Sequence, residues 1–202
     1  MYPIKSPSFL RWLYPELTWH KDRHEKRIYL TFDDGPIPDV TPAVLDILKS
    51  RDVKATFFCV GENVRKHPAI YQELKKQGHS IGNHTYNHLN GWKTDDDTYL
   101  INIQKSQQLL QVRLLRPPYG LIKKSQARQL VGQYEIIMWD VLSGDFDLKL
   151  SPEKCLQNVL KYTKNGSIIV FHDNLKAIPR ILHALPRAVD HWLEQGYSFG
   201  IL

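Results

Sequence analysis

Short β-branched or aromatic runs alternate with longer amphipathic segments from Arg27 to the C-terminus, which predicts an α/β fold with a parallel strand core. Seven candidate strands and six candidate helices in 202 residues suit a small, distorted or incomplete (β/α)7-type barrel better than an open doubly wound sheet. The first strand also runs into Thr31-Phe32-Asp33-Asp34-Gly35-Pro36, carboxylates where a nucleotide site needs glycines and free backbone amides.

The candidate strands are Arg27 to Phe32, Lys54 to Val60, His79 to Gly82, Leu114 to Arg116, Tyr134 to Trp139, Ser167 to Phe171 and Tyr197 to Leu202. Between the first two, Thr41 to Ser50 spaces Val44, Leu45 and Leu48 as one helical face, with Thr41 as the expected cap and Pro42 at the first helical position. Further helices are expected at Pro68 to Gln77, Asp95 to Val112, Lys123 to Val131, Ser151 to Lys164 and Arg180 to Gln195, the last bent or begun late because of Pro186. Gly78, Gly166 and Gly196 each precede a strand, where a left-handed helix ending suits glycine.

Residues 1–26 read as an N-terminal extension packing on the barrel, and residues 27–202 as the catalytic domain. Phe9, Leu10, Trp12, Leu13 and Tyr14 form an apolar patch expected to pack across the barrel's floor, with contact to a membrane surface as the alternative. Arg11 interrupts the patch, so it lacks the continuous apolar centre of a secretory signal, and no run approaches the roughly 20 apolar residues that span a bilayer. The cytoplasm is therefore the default compartment.

With 42% hydrophobic and 24% charged residues the composition is that of a globular protein, not a disordered or fibrous one. The net charge of +6 would attract nucleic acid, anionic lipid or an acidic polymer. Lys and Arg are scattered, however, so a solvated surface is expected and a nucleic-acid partner is not. The two cysteines, Cys59 in an apolar run and Cys155 in a helix, have no zinc-knuckle or redox spacing and read as free, buried thiols. Nothing fixes an oligomeric state, and a monomer is the default.

In a parallel α/β barrel the loops after the strands converge on one face. Those positions hold Asp33 and Asp34, then His84 and His88, then Arg116-Pro117-Pro118-Tyr119-Gly120, then Asp140 and Asp145, then His172 and Asp173. Adjacent carboxylates at a strand end repel unless a cation or proton intervenes, although Asp-Gly-Pro is also ordinary turn chemistry. His84 and His88, four apart, can reach one metal from a single helical turn or tight loop. Two imidazoles and a carboxylate form the three-ligand set of catalytic zinc, and the set also admits other first-row metals. A metal of this kind suits amide or ester hydrolysis, with Asp33 placed as base and His172 as acid. His172 could instead merely close a strand.

Taken together, Thr31 to Pro36 (TFDDGP), His84 to His88 (HTYNH), Arg116 to Gly120 (RPPYG) and Ile169 to Asp173 (IVFHD) resemble the motifs of the NodB-homology polysaccharide deacetylases, carbohydrate esterase family 4, in that family's order. The resemblance runs from about Arg27 to the C-terminus. It implies Asp33 as catalytic base, His172 as acid, and Asp34, His84 and His88 on a divalent metal, most often Zn2+ with Co2+ or another ion possible. It further implies that Arg116 orients the base, that Asp145 pairs with the acid, and that Tyr119 offers a backbone N–H to an oxyanion, in a pocket with Pro118, Phe146 and Val170. Phe146 stands where the family commonly has Trp, and Val170 where leucine is frequent. The implied reaction removes N-acetyl groups from N-acetylhexosamine units of a polysaccharide or oligosaccharide, at the cell envelope in many relatives. Other readings are a deacylase or deformylase of a lipid-linked sugar, a small cyclic amide hydrolase, or a non-catalytic protein that binds glycan or nucleic acid.

Overall fold

A computed structural model describes residues 2–202. Eight strands, β1 (Arg27–Asp33), β2 (Thr56–Cys59), β3 (Ser80–Asn83), β4 (Leu114–Leu115), β5 (Glu135–Ile136), β6 (Val141–Leu142), β7 (Ile168–His172) and β8 (Ser198–Gly200), form one sheet. Its order is β5-β4-β3-β2-β1-β7-β6, with β8 on the first half of β1, and every pairing is parallel. The sheet curls into a distorted (β/α)7-type barrel, as the sequence predicts.

Side-chain alternation along β1 defines the layers. Ile28, Leu30 and Phe32 face outward into the main core beneath α2 (Val40–Lys49), α7 (Pro152–Tyr162) and α8 (Ile178–Glu194), where they meet Val44, Leu48, Val159, Leu185 and Trp192. The barrel interior is a separate small cluster of Phe58, Ile137 and Ile168, backed by Tyr29, Leu114, Trp139 and Leu202. A third cluster under α5 (Asp96–Leu110) and α6 (Lys124–Leu130) gathers Tyr99, Ile103, Leu115, Leu130 and Ile136. Cys59 and Cys155 are free and buried, as expected. Gly78, Gly166 and Gly196 all have positive φ, which glycine adopts without a Cβ penalty.

Four expectations need correcting. Helix α2 begins at Val40 with Asp39 at its cap position, so Thr41 lies inside the helix. There its hydroxyl donates to Asp173 (2.6 Å) and accepts from Ile37 N–H (2.8 Å). The helices α3 (Gly61–Lys66) and α4 (Pro68–Lys76) flank His67, because a residue before proline avoids helical angles; only the second of them was read from the sequence. The expected strand Tyr134 to Trp139 shortens to the two-residue β5, and a further two-residue strand, β6, lies beyond it, after Asp140, whose carboxylate meets two arginines. Finally, α8 starts at Ile178, ahead of the expected Arg180, and continues through Pro186. Burial of Ile181, Leu185, Val189 and Trp192 on one face outweighs the about 3 kcal/mol that an interior proline costs.

The extension does not cross the barrel's floor. It occupies the gap between the sheet's two edges, with Lys5 bridging Val141 of β6, Thr18 bridging Ile137 just beyond β5, and His20 bridging Ser167 just ahead of β7. Backbone bonds from Leu142 N to Ile4 O (2.7 Å) and Met138 N to Thr18 O (2.7 Å) close the seam. Of the apolar patch, Leu10 and Tyr14 on α1 (Ser8–Leu13) and its end pack against the third cluster, while Phe9, Trp12 and Leu13 are exposed. No helix among the described residues is long and apolar enough to cross a membrane.

Candidate metal centre and active site

Asp33 and Asp34 end β1, and the chain turns there so that the two carboxylates part. Asp33 continues the strand alternation into the barrel, aligned with Phe58 on β2 and His172 on β7. Asp34 takes a positive φ of 90°, a strained conformation for a residue with a Cβ. Its carboxylate Oδ1 lies 3.6 Å from Nε2 of His84 and 3.1 Å from Nε2 of His88. Both histidines belong to the tight loop after β3, in which Thr85 and His88 have positive φ; the loop alternative, not a helical turn, is realised.

Three partners hold Asp34 in place. Asn174 Nδ2 donates to its Oδ2 (2.5 Å), and Asn63 Nδ2 donates to its carbonyl (2.8 Å). The following residue, Gly35, gives its N–H to Asp173 (3.0 Å), and a Cβ at Gly35 would collide with that carboxylate. Asp173 is buried, and burial, followed by the Asp34 charge, pushes its carboxyl up to about 8. Asn63, Asp173 and Asn174 were not assigned roles from the sequence. Asn174 directly follows the His-Asp pair and could have been noticed, whereas nothing in the local sequence marks Asn63.

The donor set fits a cation. His84 is buried, and burial lowers its imidazole to about 4, so the ring is neutral. Its Nδ1 lies 2.8 Å from the Arg116 carbonyl and must donate to it, which leaves a lone pair on Nε2 facing a carboxylate oxygen. That oxygen, Asp34 Oδ1, is buried without an aligned hydrogen-bond donor. Burial alone would raise the Asp34 carboxyl, but the neighbouring His88, His172 and His84 hold it well below the usual carboxylate range. Facing electron pairs of this kind repel unless a positive ion sits between them. The two carboxylate–imidazole distances, 3.6 and 3.1 Å, are close to the roughly 3.3 Å separations that tetrahedral zinc with bonds of about 2.0–2.1 Å imposes, and all three ligand atoms lie within 4.8 Å of one another. His88 is steered by Tyr119, whose hydroxyl lies 3.1 Å from its Nδ1.

Two buried pairs flank this set. Arg116 is fully buried; its Nη1 donates to Asp33 Oδ1 (2.7 Å) and Thr31 Oγ1 (2.7 Å), and its other nitrogens donate to the carbonyls of Ile137 (3.3 Å) and Met138 (3.0 Å). The guanidinium also lies 4.1 Å from the Phe58 ring centre. On the other side, buried Asp145 accepts from His172 twice, from Nδ1 (2.7 Å) and from the backbone N–H (2.7 Å). Burial works against the charged imidazole, but Asp145, then Asp34 and Asp33, overcome it and raise His172 to about 9. His172 Nε2 is thereby left pointing away from Asp145.

Among the expected pocket residues, Phe146 packs its ring 5.1 Å from His172, edge on, and carries Tyr2 of the extension on its other side at 4.9 Å. Tyr119 is exposed, with φ 61°. Pro118 and Val170 are buried, Val170 beside Thr31 and Leu142 in the sheet. Asp140, grouped in the sequence with the strand-end residues, is no part of this cluster: it is buried at the seam, held by Arg11 (2.5 Å), Arg23 (2.9 Å) and Ser167 (2.7 Å).

The profile of the polysaccharide deacetylases matches residues 20–138. The chain belongs to that family. A peptidoglycan-N-acetylglucosamine deacetylase of Bacillus cereus is 39% identical over 156 residues, which are 74% of this chain and 56% of that protein, so the chain spans little more than half the length of this relative. A crystallised peptidoglycan N-acetylglucosamine deacetylase, bound to a naphthalenyl N-hydroxybenzamide, superposes with TM-score 0.90 at 33% identity, covering 96% of this chain and 94% of that one. A pseudoenzyme of the same esterase family from Bacillus anthracis superposes with TM-score 0.80 at 27% identity, over 91% of this chain and 66% of that one. The polysaccharide deacetylase barrel thus carries both kinds of protein, and this chain's own side chains must carry the argument for chemistry.

Proposed function

We propose that this polysaccharide deacetylase removes N-acetyl groups from N-acetylhexosamine units, with N-acetylglucosamine of peptidoglycan the first substrate to try. The observation that carries the reading is the convergence of Asp34 Oδ1, His84 Nε2 and His88 Nε2 within 4.8 Å of one another, beside an Asp–Arg pair and an Asp–His pair.

In this reading Asp34, His84 and His88 hold a divalent ion, zinc or cobalt, which when bound acidifies a water and polarises the acyl carbonyl. Asp33 takes the proton from the attacking water. Arg116 aims Asp33 through a 2.7 Å hydrogen bond from its buried guanidinium. Asp145 holds His172 as an imidazolium across the neutral range, so His172 can give a proton from Nε2 to the departing sugar amine. The left-handed turn at Tyr119 presents backbone N–H near the acyl oxygen. Phe146 and Val170 bound the space for the acetyl methyl.

The test is acetate release from N-acetylglucosamine oligomers and from peptidoglycan fragments by protein loaded with zinc or cobalt. Chelation should stop it, and Asp33→Asn should slow it on the order of 10²–10⁴-fold while the metal remains bound. Full turnover by both the chelated protein and the variant would overturn the mechanism. Formate release from a lipid-linked sugar, with no acetate from glycan, would redirect the substrate assignment to that class.

A further inference from the structure

Helix α1 is apolar on two faces, an arrangement that a surface helix does not ordinarily show. Leu10 and Tyr14 pack inward, and Arg11 reaches in to Asp140. Phe9, Trp12 and Leu13, spaced i, i+3, i+4, form the opposite face and are 62%, 83% and 36% exposed. Trp12 is far more exposed than a side chain of its type normally is.

The seam beside this helix is cationic. Arg11 and Arg23 converge on the one carboxylate of Asp140; Ser167 bonds that carboxylate and accepts from the backbone of Lys164 (3.1 Å), and Lys5 pairs with the adjacent Val141. Four cations thus surround a single buried anion, and Lys5 and Lys164 are exposed. The repulsion is felt within the group, since Arg23, Lys5 and Arg11 each make it harder for Lys164 to hold its proton. From Tyr2 to Lys21 the sequence adds one acidic residue, Glu16.

We propose that the Phe9, Trp12 and Leu13 face, with the exposed Lys5 and Lys164 beside the helix, docks the protein on an anionic lipid bilayer. Charge decides among the occupants. A second copy meeting this face about a two-fold axis would bring the same cations against themselves. A soluble polyanion would satisfy the lysines and leave the aromatic residues in water. A bilayer supplies an anionic headgroup layer and hydrocarbon beneath it, and tryptophan with phenylalanine favours that boundary. The docking is peripheral, since three side chains insert and no helix spans the membrane.

The experiment is co-sedimentation of the full chain with vesicles of phosphatidylglycerol mixed into phosphatidylcholine, against phosphatidylcholine alone. Binding should require phosphatidylglycerol, weaken at least about tenfold between 50 and 500 mM salt as screening predicts, and be accompanied by a blue shift of tryptophan emission. The Phe9→Ser/Trp12→Ser double variant should lose at least about tenfold in vesicle affinity and abolish the shift. Acetate release from a soluble oligomer should be unchanged in it, and an unaltered circular dichroism spectrum excludes misfolding. As a second variant, Lys5→Glu/Lys164→Glu should weaken binding without touching the apolar face. No binding to anionic vesicles at low salt would overturn the proposal. So would binding indifferent to both variants, or a concentration-dependent dimer that the serine variant dissolves in the absence of lipid binding.

Discussion

The two sides of the barrel are built differently. On one side β1, β2, β3 and β7 form a continuous ladder of four to seven residues per strand, and every proposed metal ligand hangs from its ends. On the other side β4, β5 and β6 have two residues each, and the wall is completed by a segment from the start of the chain. The first side is held by regular backbone pairing over an apolar core. The second depends on polar pins, above all Asp140 with its two arginines. Damage to the first side should therefore show in chemistry at constant stability, and damage to the second in stability at constant metal affinity.

The sharpest break of that contrast is Asp34→Ala. Zinc uptake, followed by calorimetry, should fall by more than 10²-fold and acetate release by on the order of 10³-fold or more, while the denaturation midpoint of the metal-free protein holds or rises. A rise would come from removing the buried carboxylate oxygen that has no hydrogen-bond partner, since alanine keeps the Cβ and with it the strained φ. A metal-free protein that unfolds on this substitution would place the ligand turn among the supports of the fold and erase the distinction between the two sides.

Next in size is Asp140→Ala. Removing one partner of a buried ion pair costs about 3–5 kcal/mol. Arg11 and Arg23 are each about a quarter exposed and can be rehydrated, so about 2–3 kcal/mol is expected from urea unfolding. Zinc affinity should not change. A loss of metal binding in this variant would show that the seam and the ligand loops move together.

The most gradual effect is a slope. His172 is raised from 6.5 to about 9, so the folded metal-free protein binds this proton more tightly than the unfolded chain does. The stability this provides is complete below pH 6.5 and is lost as the pH rises through about 9. Unfolding free energy of the metal-free protein should fall across that window, and Asp145→Asn should flatten the fall and bring the His172 titration, read by NMR, back towards its ordinary value. A His172 titration unmoved by Asp145→Asn would assign the shift to the more distant carboxylates.

Legibility from sequence follows the same division. β1, β2 and β7 announce themselves as β-branched and aromatic runs because they are buried on both faces, whereas β3 (SIGN) offers only Ile81 of that kind; Asp33, Asp34, His84, His88, Arg116, Asp145 and His172 stand at or just beyond strand ends, where parallel topology alone predicts convergence. The seam was not legible. Its strands are too short to show a period, and the partners that close it, Lys5 with Val141 and Thr18 with Ile137, lie far apart in the chain. Asp140 looked like its neighbour Asp145 because both follow a short apolar run; five residues and one turn at Gly144 send one to the seam and the other to His172. The same blindness applied to α1, where five apolar residues in six positions suggested packing for all of them, and only the helix phase separates Leu10 and Tyr14 from the exposed three.

Closure by a segment made long before its partners has a consequence for the order of assembly. As the polypeptide leaves the ribosome, residues 2–21 appear before anything they will pair with. Their hydrogen bonds to Asp140, Glu135 and Asp147 span 129, 114 to 117 and 145 positions. Bringing such distant pieces together is entropically slow and comes after the local βα units have formed. The nascent chain therefore carries an uncovered strip of Leu10, Tyr14, Leu17 and Trp19 through most of its synthesis, and in the finished protein the same strip is the part whose amide protons should exchange first.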